Sequence, residues 1–161
     1  MVFGTAFKKL LDANPDLNME GFGSWHTTRI PKAVVKVELV TARIKLIARA
    51  NEIEQVMKWL RENVKMRKTI SPNAGSYRVK HLAEEEILGY VSNGQLIAAA
   101  MLVGYPHRIR GLYADFGMSL NSLTDVYNRI QVMHQAGIKR DRFFLHAVES
   151  VETIPKGVTL H

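Results

Sequence analysis

Residues 95–103 read QLIAAAMLV, and this stretch decides the fold. Eight of its nine side chains are apolar and none is charged, so a helix formed here has no polar face. A helix that is apolar on every side belongs in the interior of a domain. Because alanine side chains are short, Ala98–Ala100 should let a neighbouring helix approach closely. The stretch is far shorter than the roughly 20 residues that span a bilayer.

Four further helices are expected around this central one. The clearest covers residues 51–64, whose apolar side chains recur at helical spacing. Its start carries Asn51 with Glu54 three residues later, the pattern of a capping box. The other three are predicted at about residues 5–13, 77–88 and 120–136.

Residues 34–48 admit two interpretations. Apolar and charged side chains alternate along much of the segment, which is rich in β-branched residues, and this period of two favours a strand. However, Val37, Val40, Ile44 and Ile47 also fit one stripe of a helix, and no turn residue divides the segment. We predict a strand and keep the helix as the alternative.

The rest of the chain predicts a single helix-rich α+β domain over residues 1–161. Further strands are expected at 142–148 (RFFLHAV) and at 109–116. Two glycines and two prolines make residues 14–31 loop-like, and SPNAGS at 71–76 is predicted as a loop. No repeat, low-complexity tract or linker divides the chain.

Positive charge is concentrated in the middle of the chain. The whole sequence has a formal net charge of +7, and residues 31–80 alone hold twelve basic and four acidic residues, a net +8. A localised basic block is the electrostatic signature of a protein that binds a polyanion. An ordinary solvated surface is the alternative interpretation.

The loop at 71–76 is the best candidate for a phosphate contact. It precedes a predicted helix, whose first backbone N–H groups and dipole attract anions. Basic residues lie on both sides of it, although the sequence lacks the glycine-rich motifs of nucleotide-binding loops. We therefore predict nucleic-acid-binding residues at Lys65, Arg67, Lys68, Arg78, Lys80, Arg108 and Arg110.

Aromatic residues lie beside the smaller basic clusters at 106–110 and 139–142. They are Tyr105, Tyr113 and Phe143. Aromatic rings interleaved with arginines can stack on unpaired bases. Burial in the core is the alternative role for each of them.

A catalytic cluster is conceivable on the helix at 77–88. Tyr77, Lys80, His81 and Glu84 would share one face, and all four side chain types can transfer protons. A half-buried helix edge with local hydrogen bonds is the alternative, and no second set of catalytic groups is evident.

The six histidines show no metal-ligand spacing and the chain has no cysteine. We expect no catalytic residue, no metal and no cofactor.

Three segments of the chain resemble a pattern in small uncharacterised proteins of bacterial phages, plasmids and other mobile elements. The segments are KTI at 68–70, SYRVKHLAEEE at 76–86 and YVSNGQLIAAAMLVGY at 90–105. The resemblance implies a mobile-element context, in which small basic proteins handle nucleic acid or block a host complex.

Together these observations favour a non-enzymatic protein that engages the phosphate backbone of nucleic acid through the basic 31–80 region. The alternative is a phage- or plasmid-encoded protein–protein module, an inhibitor or subunit of a host nucleoprotein complex such as a defence system. The N-terminal lysines follow the first apolar residues, the reverse of a secretory signal. We expect a cytoplasmic protein with no membrane partner.

Overall fold

Residues 3–24 and 29–140 are described by a computed structural model, in which six helices accompany two small antiparallel sheets. The fold is therefore α+β and helix-rich, as the sequence predicts. The helices are α1 Phe3–Ala13, α2 Lys32–Ala48, α3 Ala50–Asn63, α4 Ser76–Ile87, α5 Asn93–Val103 and α6 Leu120–Gln135. The strands are β1 Leu17–Asn18, β2 Gly21–Phe22, β3 Met66–Gly75, β4 His107–Arg110 and β5 Tyr113–Met118.

Helix α5 occupies the centre of the core, which confirms the prediction from its apolar sequence. Residues 93–100 are all buried, and α3, α4 and α1 pack against this helix. The side chains of Ser92 and Gln95 form a reciprocal capping box at its start. Gly94 then comes so close to β1 that an added Cβ would lie 1.8 Å from the carbonyl oxygen of Asn18. Only glycine fits at this crossing.

Residues 34–48 form most of α2, so the predicted strand is wrong and the helical alternative is correct. Leu46 is the one buried side chain of this seventeen-residue helix, all of which lies in the described part of the chain. Its β-branched residues favour a strand by local preference. The inner side of the helix is instead joined to the chain directly after β1, where the Ala42 carbonyl accepts a hydrogen bond from Met19 N–H.

The predicted helices at 5–13, 51–64, 77–88 and 120–136 are all present, with shifted ends. The predicted capping box at Asn51 is wrong, because α3 begins at Ala50 directly after Arg49 and no side chain caps it. Helix α6 begins at Leu120, and the hydroxyl of Ser119 accepts a hydrogen bond from the Ser122 backbone. It packs mainly on α4 and α3.

The larger sheet in the described part of the chain has three strands in the order β3–β5–β4. The loop predicted at 71–76 is wrong, because residues 71–75 continue β3 and pair with β5 through an irregular register. The strand predicted at 109–116 is instead a hairpin in which β4 turns into β5. The strand predicted at 142–148 lies outside the described residues.

None of the helices within residues 3–24 and 29–140 is both long and apolar enough to cross a membrane.

Candidate nucleic-acid interface

Two predicted arginines project from one face of the hairpin formed by β4 and β5. The register pairs Arg108 with Asp115 and Arg110 with Tyr113. Directly paired residues of antiparallel strands have their side chains on the same face of the sheet. The side chains of Arg108 and Arg110 remain about three-fifths exposed, at 60% and 61%. Their guanidinium groups are therefore available to solvent and to a ligand.

A buried carboxylate orients both arginines. Arg110 donates through Nε and Nη2 to the two oxygens of Asp115, each at 3.2 Å, and Arg108 Nη2 donates at 3.3 Å. The bidentate hydrogen bond from Arg110 lowers the pKa of Asp115 below its ordinary value; burial opposes this and the bond from Arg108 adds to it. Asp115 is fully buried, so it holds the arginines from below the surface.

Two exposed tyrosines adjoin Arg110. The rings of Tyr77 and Tyr113 meet edge to face with centroids 6.0 Å apart. Together with Gly75, Ser76 and Arg110 they line an open pocket of about 240 Å³. Tyr77 is 57% exposed and Tyr113 is 37% exposed, so both rings offer apolar surface to a ligand.

The start of α4 forms one wall of this pocket. Gly75 occupies the N-cap position, and no side chain caps the first N–H groups, which form the positive end of the helix dipole. The Ser76 hydroxyl accepts a hydrogen bond from Ala114 N–H, which fixes α4 to β5. Arg78 is exposed one residue after Tyr77 and donates to the Asn73 carbonyl at 2.8 Å.

Three more predicted cations lie along the far end of the same sheet. Lys65 immediately precedes β3, and Arg67 and Lys68 are exposed within it. On β5, Met118 pairs with Met66, whereas Asp115 pairs with Gly75. Three residues of strand span about 10 Å. We use the name sheet surface for the exposed cations and rings on this sheet and at its edges, on either face: Lys65, Arg67, Lys68, Tyr77, Arg78, Arg108, Arg110 and Tyr113.

Lys80, the seventh predicted cation, is directed inward and lies outside the sheet surface. Its side chain is 12% exposed, and Nζ contacts Glu84 at 3.2 Å and the Val91 carbonyl at 3.3 Å. Glu84 is buried and also contacts His81 Nδ1 at 2.8 Å and Arg140 at 3.0 Å. This ion network joins α4 to the chain beyond α6.

The four residues of the conceivable catalytic cluster do share one face of α4. The Tyr77 and His81 rings are 4.5 Å apart, and Glu84 holds the imidazole through Nδ1. The pocket beside Tyr77, however, is lined by neither His81, Lys80 nor Glu84. The arrangement fits the alternative interpretation, a half-buried helix edge with local partners.

The remaining candidates from the sequence are the aromatic residues Tyr105 and Phe143 and any metal ligands. Tyr105 is buried and its hydroxyl donates to the Leu60 carbonyl at 3.1 Å; burial raises its pKa to about 12, although the charge of Arg61 acts in the opposite direction. Phe143 lies outside the described residues. Residues 3–24 and 29–140 contain no group of three or more side chains placed to hold a metal ion.

The basic 31–80 block is distributed over several elements. Five of its cations belong to α2 and the Arg49 junction, two to α3, and the rest to β3, its edge and α4. Arg43 of α2 is directed inward, where its guanidinium donates to backbone carbonyls of Leu11, Asn14 and Leu17. The sheet surface therefore draws on the end of the block and adds Arg108 and Arg110 from the hairpin.

Replacing Asp115 with Asn should lower stability at neutral pH by about 1–2 kcal/mol, because charge-assisted hydrogen bonds are lost. A carboxyl whose pKa is lowered by folding stabilises the native state above its unfolded pKa, and this contribution disappears as the pH falls through the lowered pKa. The wild type should therefore lose stability in acid more steeply than Asp115→Asn. Urea unfolding at pH 7 and at successively lower pH measures both effects.

Asp12→Asn is the matched control, since Asp12 pairs with Lys8 on an exposed helix surface. Such pairs contribute little. Equal acid slopes for wild type and Asp115→Asn would contradict the role given to Asp115.

Comparison of the chain with protein-family models, with curated proteins and with solved structures finds no match.

Proposed function

We propose that this protein is a non-enzymatic nucleic-acid-binding protein of a mobile element, and that single-stranded nucleic acid binds across its sheet surface. The observation that carries the proposal is the arrangement of Tyr77, Tyr113 and Arg110 around one open pocket, with more cations along the same sheet. Exposed rings beside arginines are the groups with which proteins bind unpaired bases and their phosphates.

Each part of the sheet surface has a chemical role in this proposal. The rings of Tyr77 and Tyr113 offer faces or edges against which bases can stack, which every base can do. Arg110 and Arg108, oriented by Asp115, present forked donors to phosphate oxygens. Arg78 and the uncapped start of α4 provide further donors beside the pocket.

The cations on β3 extend the contact along the strand of nucleic acid. These cations are Lys65, Arg67 and Lys68, next to Met66. Met66 pairs with Met118, which lies three residues, roughly 10 Å, along β5 from Asp115 at the pocket end of the sheet, within the span of a few nucleotides. Phosphate contacts of this kind add affinity without reading sequence, so binding should be tolerant of base order and sensitive to salt.

Replacing Tyr77 with Leu tests the stacking contribution. Stacking of one base on an aromatic side chain contributes about 1–3 kcal/mol, so we expect roughly tenfold weaker binding of a single-stranded oligonucleotide. The dependence of affinity on salt should stay unchanged, because no phosphate contact is removed. Fluorescence anisotropy with labelled single strands at several salt concentrations measures both quantities.

Tyr127→Leu is the matched control, because Tyr127 is a similarly exposed tyrosine on α6, at 50%. This variant should bind as the wild type does. If Tyr77→Leu binds single strands with wild-type affinity, or if both variants weaken binding equally, the stacking site is refuted.

A further inference from the structure

Helix α2 exposes a continuous apolar stripe. Val37, Val40, Ile44 and Ile47 are 66%, 52%, 60% and 49% exposed, and Ala33 precedes them on the same side. On most helices of a domain such residues face the core. Contiguous exposed apolar patches mark interaction sites.

The orientation of α2 is fixed by Arg43 at the border of the stripe and by Ala42 and Leu46 on the opposite side. Arg43 donates to the carbonyls of Leu11, Asn14 and Leu17 at 2.6–3.0 Å. Leu46 is buried on that side, and the Ala42 carbonyl accepts the Met19 N–H at 3.1 Å. Because the inner face is held in this way, the stripe faces away from the core.

The spacing of the stripe identifies a helix as its occupant. The five residues from Ala33 to Ile47 are separated by four, three, four and three positions. This alternation is the a and d pattern by which one helix packs along another at a small crossing angle. A strand or an irregular segment offers no matching periodicity.

We propose that the occupant is α2 of a second copy of this chain, so that two protomers form a two-fold dimer through their stripes. In the antiparallel arrangement Val37 meets Ile47 and Val40 meets Ile44 of the other copy, which pairs each smaller side chain with a larger one. Antiparallel helices also place opposite dipole ends together. A two-fold interface uses the same patch on both subunits, as this stripe can.

The charges beside the stripe permit this pairing. One margin is formed by Val34, Thr41 and Ala48, which carry no charge, and Lys36 and Arg43 lie on the other. The flanks thus show no charge pattern that would select an acidic or a basic partner. The inward bonds of Arg43 keep its guanidinium away from the interface.

The size of the stripe predicts a weak dimer. The area buried between two helices of this length lies at the small end of the roughly 1,200–2,000 Å² that specific interfaces bury. We therefore expect a dissociation constant in about the micromolar range. Each copy carries a net charge of +7, so salt should strengthen the association by screening repulsion. Binding of nucleic acid should respond to salt in the opposite direction.

Sedimentation equilibrium of the full chain, over a wide range of protein concentration and at two salt concentrations, tests the dimer. The wild type should be a monomer when dilute and a dimer when concentrated. Ile44→Lys should remain a monomer throughout, because it places a charge in the stripe. Val132→Lys is the matched control, since Val132 is 65% exposed on α6, and it should dimerise as the wild type does.

Thermal unfolding distinguishes the remaining outcomes. Dimerisation predicts a midpoint that rises with protein concentration for the wild type but not for Ile44→Lys. A wild type that is monomeric at every concentration overturns the proposal. If the wild type is monomeric and Ile44→Lys has a lower unfolding midpoint that does not depend on protein concentration, the stripe is covered by the chain itself. This result also overturns the proposal.

Discussion

Replacing Ala99 with Glu should leave the protein unfolded or insoluble. Ala99 is fully buried at the centre of α5, against which α3, α4 and α1 pack. A carboxylate there must be desolvated without a partner or become neutral, and either costs several kcal/mol. The whole domain is stabilised by about 5–15 kcal/mol, so this single change removes a large part of it.

Circular dichroism and solubility of the purified variant measure this effect. Ala33→Glu is the matched control, because Ala33 is an exposed alanine in the first turn of α2, where a negative charge suits the helix dipole. The control should fold. A folded Ala99→Glu protein with wild-type stability would contradict the central position of α5.

Reversing two charges on β3 should weaken nucleic-acid binding strongly. The double variant Arg67→Glu, Lys68→Glu removes two exposed cations from the sheet surface. Each lost phosphate contact lowers the slope of log affinity against log salt by about 0.7–0.9, which for two contacts is roughly tenfold to a hundredfold at 0.1 M salt. The loss should be similar for all base sequences.

Titrations at several salt concentrations measure the loss and the slope together. Lys8→Glu, Lys9→Glu is the control, since it makes the same change in net charge on α1. We expect the control to bind only slightly less tightly than the wild type. Equal losses for the two variants, or wild-type affinity no greater than that of an unrelated protein of equal net charge, would refute a localised interface.

The core could be predicted from the sequence because its determinants are local. Residues 95–103 have no polar side chain after Gln95, and no placement other than the interior satisfies such a helix. Helix α3 could be predicted for a similar reason, because its apolar side chains recur at helical spacing. The start of α3 was harder to place, because Arg49 joins it to α2 with almost no intervening residue and the predicted cap at Asn51 is not used.

The segment at 34–48 could not be assigned from its pattern because its apolar residues do not face the core. Alternation and β-branching indicate a strand, and the competing stripe from Val37 to Ile47 is the exposed side of the helix. The burial of Leu46 and the inward bonds of Arg43 depend on residues about 30 positions earlier, which no local pattern reveals.

The cations of the proposed interface can be named from the sequence, but their arrangement cannot. Six of the seven predicted cations lie around one sheet, whereas Lys80 joins a buried network with Glu84. Asp115 gave no signal, because its role depends on the hairpin register that brings it beneath Arg108 and Arg110. The sequence indicates Tyr77 only as a member of a conceivable proton-transfer cluster, because its neighbour Tyr113 lies 36 positions away.

The central claim is that nucleic acid binds on the sheet surface, and mapping amide chemical shifts tests it most directly. A labelled sample titrated with a short single-stranded oligonucleotide at low salt should show its largest shifts at residues 65–68, 76–78 and 108–113. These shifts should saturate together and diminish as salt is added. Large shifts confined to other described elements such as α1 or α3, or no saturable shifts at all, would contradict the account.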